Sequence, residues 1–154
     1  RPSFRHLSNI LQIHNGDKDA ALEYYKDQIK TPPDEKNFHQ RADCVLNWLK
    51  LYAPEDFKFK LNTNPTDLAL GDLEKKFLGN MGNFLKTSWN DLQSDQELHQ
   101  KIYDLAKEIQ LEPKNAFRAL YLVLISKEKG PKLAGFMRII GYSKIQPLLA
   151  PFLS

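Results

Sequence analysis

A single cysteine, Cys44, is the chain's whole supply of thiol, so an intrachain disulfide is impossible and the composition suggests no secreted, crosslinked scaffold. No apolar run approaches the roughly 20 residues that a membrane-spanning helix needs. No charged-then-apolar opening segment marks a signal peptide either. A cytoplasmic protein without membrane contact is therefore expected. Glycine-rich phosphate loops are missing: Gly79, Gly82, Gly130, Gly135 and Gly141 never assemble into GxGxxG or GxxxxGK[ST]. The four histidines, His6, His14, His39 and His99, include no pair at the i,i+4 spacing that puts two imidazoles on one helix face. No metal site is expected. Cys44 has no local base or electropositive cleft to make it a nucleophile, and it reads as a small, semi-buried neighbour of an apolar stripe. The carboxylates fall on solvent-facing helix positions. Catalytic residues and cofactors are accordingly expected to be absent.

What the sequence does hold is an ordinary globular mixture, 42% hydrophobic and 27% charged over 154 residues. That length suits one domain or two small packed subdomains and needs no crosslink to bury a core. Its start at Arg1, without methionine, fits an excised or processed piece of something longer. Charge is unevenly spread. Residues 1–60 carry 10 Lys/Arg against 9 Asp/Glu, residues 61–112 carry 5 against 9, and residues 113–154 carry 7 against 1. A basic end following an acidic middle suits an anionic partner, nucleic acid above all, or else reflects a lysine-rich solvated surface.

Apolar residues recur at helical spacing along almost the whole chain. Phe4, Leu7, Ile10 and Leu11 form a short amphipathic segment ending near Asn15-Gly16. Asp17 is expected to cap a second helix carrying Ala21, Leu22, Tyr25 and Ile29, broken by Thr31-Pro32-Pro33. Asp34 is expected to cap a third, through Phe38, Ala42, Val45, Leu46, Leu49 and Tyr52. The stretch Phe57 to Leu61 alternates like a strand but has no partner segment, and reads as extended linker. Leu73, Phe77, Met81, Phe84 and Leu85 resume helical spacing, with Gly79 and Gly82 tolerated inside it. Ser94 to Glu97 has the capping-box pattern, and Pro113 sits where a first-turn proline belongs. Phe117, Leu120, Tyr121 and Leu124 share one face. Gly130-Pro131 is expected to end that helix and begin the next, which Gly141 terminates. A last short helix is expected around Ile145 to Phe152. The reading is all-α: seven to eight helices in two packed helical subdomains, residues 1–62 a connector and residues 63–154 the basic part.

One constellation stands out. Arg118, Lys127, Lys129, Lys132 and Arg138 surround the Gly130-Pro131 turn, where backbone N–H groups of a helix start would join the lysines around a phosphate. The helix dipole alone accounts for Lys127 and Lys129, but not for Lys132 and Arg138. Trp89, in the connection Thr87 to Asp91, would either stack on an unpaired base or fill the core between two helices, with the core favoured.

Three segments stand in order along the chain: Tyr52-Ala53-Pro54-Glu55-Asp56-Phe57-Lys58-Phe59 after the helix bearing Trp48, then Trp89 with Glu97-Leu98-His99-Gln100-Lys101-Ile102-Tyr103, then Ala116 to Leu124 with Lys127-Glu128-Lys129-Gly130-Pro131-Lys132-Leu133 and Phe136. Together they resemble class I lysyl-tRNA synthetases. Phe4-Arg5-His6-Leu7 also resembles the segment that follows the catalytic domain of such enzymes. Ser126 departs from an expected glycine, and Lys132 from an arginine, replacing a planar fork by a point charge. The resemblance implies the C-terminal region of the enzyme, with an α-helix cage that approaches the anticodon arm of tRNA-Lys. It implies ATP and lysine bound in a catalytic domain that this chain does not include, and that domain as a partner. Candidate tRNA contacts are Arg118, Lys127, Lys129, Lys132, Arg138 and Trp89. The alternative is a helical protein-interaction domain for an acidic protein partner.

Overall fold

Thr31, Pro32 and Pro33 begin a helix where sequence patterning places a break. The Thr31 hydroxyl accepts from the Asp34 N–H at 3.2 Å, and the two prolines fill the first helical positions, where no N–H is required. This helix is one of eight α-helices in the computed structural model, which describes residues 3–153; residues 1, 2 and 154 of the two expected segments lie outside that range. The helices are α1 (Phe4–Ile13), α2 (Lys18–Tyr24), α3 (Pro32–Leu51), α4 (Asp72–Ser88), α5 (Asp95–Glu108), α6 (Pro113–Ile125), α7 (Leu133–Ile140) and α8 (Tyr142–Leu149). Short 3-10 turns occupy Glu55–Phe57, Trp89–Asp91 and Ala150–Phe152, and the described residues contain no strand. The fold is all-α. No helix among the described residues is long and apolar enough to cross a membrane. Contacts divide the chain into two units, one through Leu61 and one from Asn62.

In the first unit α1, α2 and α3 pack mutually around Leu7, Ile10, Leu11, Ala21, Tyr25, Phe38, Ala42 and Val45. The chain leaves α1 through Asn15 and Gly16, both in the left-handed region at φ 55° and 83°. Asp17 caps α2 as expected, accepting from Asp19 and Ala20 N–H groups. However, α2 stops at Tyr24, leaving Ile29 beyond it. Cys44 is exposed rather than semi-buried, because the stripe Phe38-Ala42-Val45-Leu49 turns inward and Cys44 lies off it. The Gln12 amide donates to the Phe57 carbonyl at 3.3 Å and accepts from the Phe59 N–H at 2.8 Å, holding the extended linker to α1.

The hydroxyl of buried Tyr25 and His6 Nδ1 share a hydrogen bond. Burial raises the tyrosine's pKa and lowers that of the histidine, so both groups stay neutral across this bond.

In the second unit α4 packs against α5, α6, α8 and the last 3-10 turn. Helix α6 is buried on nearly every side from Ala119 to Ile125, which makes it the core helix. Gly79 and Gly82 are more than tolerated. A Cβ on Gly79 would stand 2.3 Å from the Phe152 carbonyl oxygen, and one on Gly82 would stand 3.0 Å from Leu153 Cδ2. The two glycines form the seat on α4 for residues 149–153.

Ser94 caps α5 by accepting from Glu97 N–H, while Glu97 reaches back to the Gln93 N–H, one residue earlier than a standard capping box. Pro113 opens α6. That helix ends at Ile125, well before Gly130, with Ser126 in the left-handed conformation at φ 58°, ψ 31°. Helix α8 starts at Tyr142, three residues ahead of the expected Ile145, and accommodates Pro147 in its interior.

Candidate nucleic-acid interface

Residues 126–132 connect α6 to α7 and carry three lysines. The connection is fastened to α6 at several points. Arg118 Nε donates to Glu128 Oε1 at 3.0 Å, and the Tyr121 hydroxyl donates to the Pro131 carbonyl. Burial raises the Tyr121 pKa, which keeps that donor protonated. Gly130 lies so near α6 that a Cβ there would meet Ile125 Cδ1 at 2.9 Å and the Tyr121 ring at 3.3 Å. Its φ is not positive, so it is close approach that calls for glycine here. At the start of the connection, Ser126 Oγ bonds to the Asn62 side chain.

The five basic residues fall into two kinds. Both arginines are held by carboxylates. Arg118 also donates to Glu74 at 3.0 Å and to the Ala69 carbonyl at 3.2 Å, and its guanidinium is further stabilised in its charged form by Glu128 and Glu74. Arg138 donates to Asp95 at 2.7 Å. A Cβ at Gly135, one turn before Arg138, would press on Asp95 Oδ2 at 2.9 Å, so the glycine leaves room for that pair. Lysines 129 and 132 are exposed and make no ion pair among the described residues, whereas Lys127 is half-buried. Lys132 is the N-cap residue of α7, beside backbone N–H groups that the helix leaves unpaired. The structure thus gathers Arg118, Lys127, Lys129 and Lys132 at one connection, with Arg138 farther along α7.

Trp89 stands apart from them. It is half-buried at the end of α4, its ring 5.9 Å from that of Tyr142 and tilted by 37°. Sequence reasoning overlooked a second group of aromatics. Phe117, expected on a core face, is only half-buried, and its ring lies 5.4 Å from both His99 and Tyr103, which are exposed on α5. The i,i+4 pair His99 and Tyr103, 5.0 Å apart, was the available signal. His99 and Phe117 line a groove of about 1090 Å³ together with Gln96, Gln100, Tyr121 and Lys132. Among the described residues no group of three His, Cys, Asp or Glu side chains is arranged to hold a metal ion.

No protein-family model matches the chain. Curated relatives do. The lysine–tRNA ligase of Borreliella burgdorferi is 35% identical over 150 residues, and that of Treponema pallidum 37% identical over 150 residues; each match covers 97% of this chain and 28% of the relative. The lysine–tRNA ligase of Thermoplasma volcanium is 33% identical over 141 residues, which is 90% of this chain and 27% of the relative. The chain therefore spans little more than a quarter of the length of the relatives it matches. Sequence relatedness along almost all of its residues, on an all-helical fold, shows that this chain corresponds to one region of class I lysine–tRNA ligases.

Proposed function

We propose that this chain is the tRNA-binding C-terminal part of a class I lysyl-tRNA synthetase and holds the anticodon arm of tRNA-Lys. In this reading it has no catalytic activity of its own. ATP and lysine are handled by a catalytic domain outside this chain, and that domain is its second partner. One observation carries the reading: a connection fastened to the core helix carries two exposed lysines, Lys129 and Lys132, the latter as N-cap beside the first backbone N–H groups of α7. Phosphate oxygens are the acceptors such donors suit. Relatives named as lysine–tRNA ligases support RNA as the source of those phosphates.

The test is the affinity of the chain for tRNA-Lys and for a tRNA with an altered anticodon, titrated over salt. Preference for tRNA-Lys with a steep salt slope is expected. Lys129→Ala and Lys132→Ala should each weaken binding of both RNAs and reduce the slope by about one. Binding to neither RNA, with salt-sensitive binding to an acidic protein instead, would replace this reading by that of a protein-interaction domain.

A further inference from the structure

We propose that the groove between α5 and the start of α7 takes a single unpaired nucleobase of the bound RNA, stacked on His99 and Phe117, with Lys132 meeting its phosphate. The proposal rests on the RNA-binding reading above and adds to it a site for the base. Three features of one groove carry it. The first is a wall of planar rings: His99 and Phe117 lie 5.4 Å apart, tilted by 38°, with Tyr103 adjoining both. Rings that served only to join α5 and α6 would be expected to lie inside, as Leu98, Ile102 and Leu120 do; His99 and Tyr103 remain exposed. Every base offers a π-face, so such a wall accepts bases without regard to their hydrogen-bonding edges.

The second feature is polar matching at the groove's sides. The Gln96 and Gln100 amides line it and offer both donors and acceptors to a base edge. Its carboxylates are already engaged: Asp95 accepts from Arg138, Glu97 from the Gln93 N–H and Asp104 from the Gln100 amide. The third is the cation. Lys132 lines the same groove, is exposed, and makes no ion pair among the described residues. An apolar peptide side chain would use the rings but neither the amides nor the ammonium. A nucleotide uses all three.

The experiment compares the full chain's affinity for hexauridylate with that for an abasic hexamer of equal charge, alongside tRNA-Lys. The chain is expected to bind hexauridylate on the order of tenfold more tightly than the abasic oligomer. His99→Ala and Phe117→Leu, the latter keeping an apolar side chain between α5 and α6, should each remove most of that preference and leave abasic binding unchanged. Lys132→Ala should weaken both. Equal affinity for the two oligomers in the unmodified chain, or a preference that survives both ring variants, overturns the groove proposal; persistent salt-dependent tRNA binding would then leave the lysine reading standing. Failure to bind tRNA and both oligomers overturns the two together.

Discussion

The Asn62 side chain and the Ser126 hydroxyl share two hydrogen bonds, Nδ2 to Oγ at 2.9 Å and Oγ to Oδ1 at 3.1 Å, although 64 positions separate them in sequence. Asn62 does more than hold a serine. Its Nδ2 also donates to the carbonyls of Leu122 and Val123, and its backbone N–H donates to that of Leu124 at 2.7 Å. The carbonyls of Val123 and Leu124 belong to the last turn of α6, whose acceptors a helix leaves without its own donors, whereas that of Leu122 also accepts from the Ser126 N–H at 2.9 Å. Asn62 is thus a C-terminal cap supplied from a distance, at a helix end that Ser126 closes in a conformation better suited to glycine.

Asn62→Ala should destabilise the second unit by about 1–3 kcal/mol, the range for buried acceptors stripped of their donor. Asn62→Asp, nearly the same shape, should cost at least as much, because a carboxylate would face the negative end of the helix. Denaturant unfolding monitored with hydrogen exchange across α6 checks both. If Asp were tolerated better than Ala, the capping role would be wrong.

Arg118→Ala should lower tRNA affinity without changing its salt slope. The guanidinium is taken up by Glu74, Glu128 and the Ala69 carbonyl, so its loss loosens the connection after α6 and leaves the count of phosphate contacts as it was. Arg118→Lys should recover little, since one ammonium cannot reproduce a planar fork of donors. A slope reduced by a full unit would instead make Arg118 a phosphate ligand.

The elements were legible in the sequence wherever the deciding interactions are local. Asp17 and Ser94 cap as their positions suggest, Pro113 opens its helix, and Asn15-Gly16 closes α1. Misreadings arose where one local signal competed with another, as when Thr31 outdid Asp34 as a cap because the prolines between them occupy the first turn. Tertiary pairing was not legible at all. Arg118 meets Glu74 across 44 residues and Arg138 meets Asp95 across 43, so the five cations around Gly130-Pro131 divide into paired arginines, a half-buried Lys127 and the exposed Lys129 and Lys132. Likewise, Gly79 looks like a weak point in a helix until the Phe152 carbonyl is placed against it.

Gly79→Ala should destabilise the second unit by about 1–3 kcal/mol, the usual cost of forcing an extra carbon into a close-packed contact. On helix propensity alone the same change would stabilise by as much as about 1 kcal/mol. The sign therefore decides between close packing and tolerance. Thermal unfolding of the variant reads it directly, and exchange of the amides around Phe152 should quicken selectively.

His6 makes the first unit sensitive to acid. Its folded pKa is lowered by burial, so below the ordinary value of about 6.5 the unfolded chain binds the proton more readily than the folded one. Stability from this site is present above pH 6.5 and is lost as pH falls through that value and below it. His6→Gln, which cannot titrate, should remove this component of the stability loss between pH 7.5 and 5.5. An unchanged pH profile in the variant would assign the loss to other groups.

A connection held by Arg118, Tyr121 and Asn62 has few shapes left to give up. Loops that order on association lose conformational entropy at that moment, and this cost is subtracted from whatever the new contacts supply. Residues 126–132 incur most of it during folding, when Glu128, Pro131 and Ser126 find their partners. Lysine side chains remain to be ordered, but the backbone that carries them does not. A partner then meets a surface whose spacing of positive charge is already set, so that affinity is lost chiefly through faster dissociation when a contact is removed.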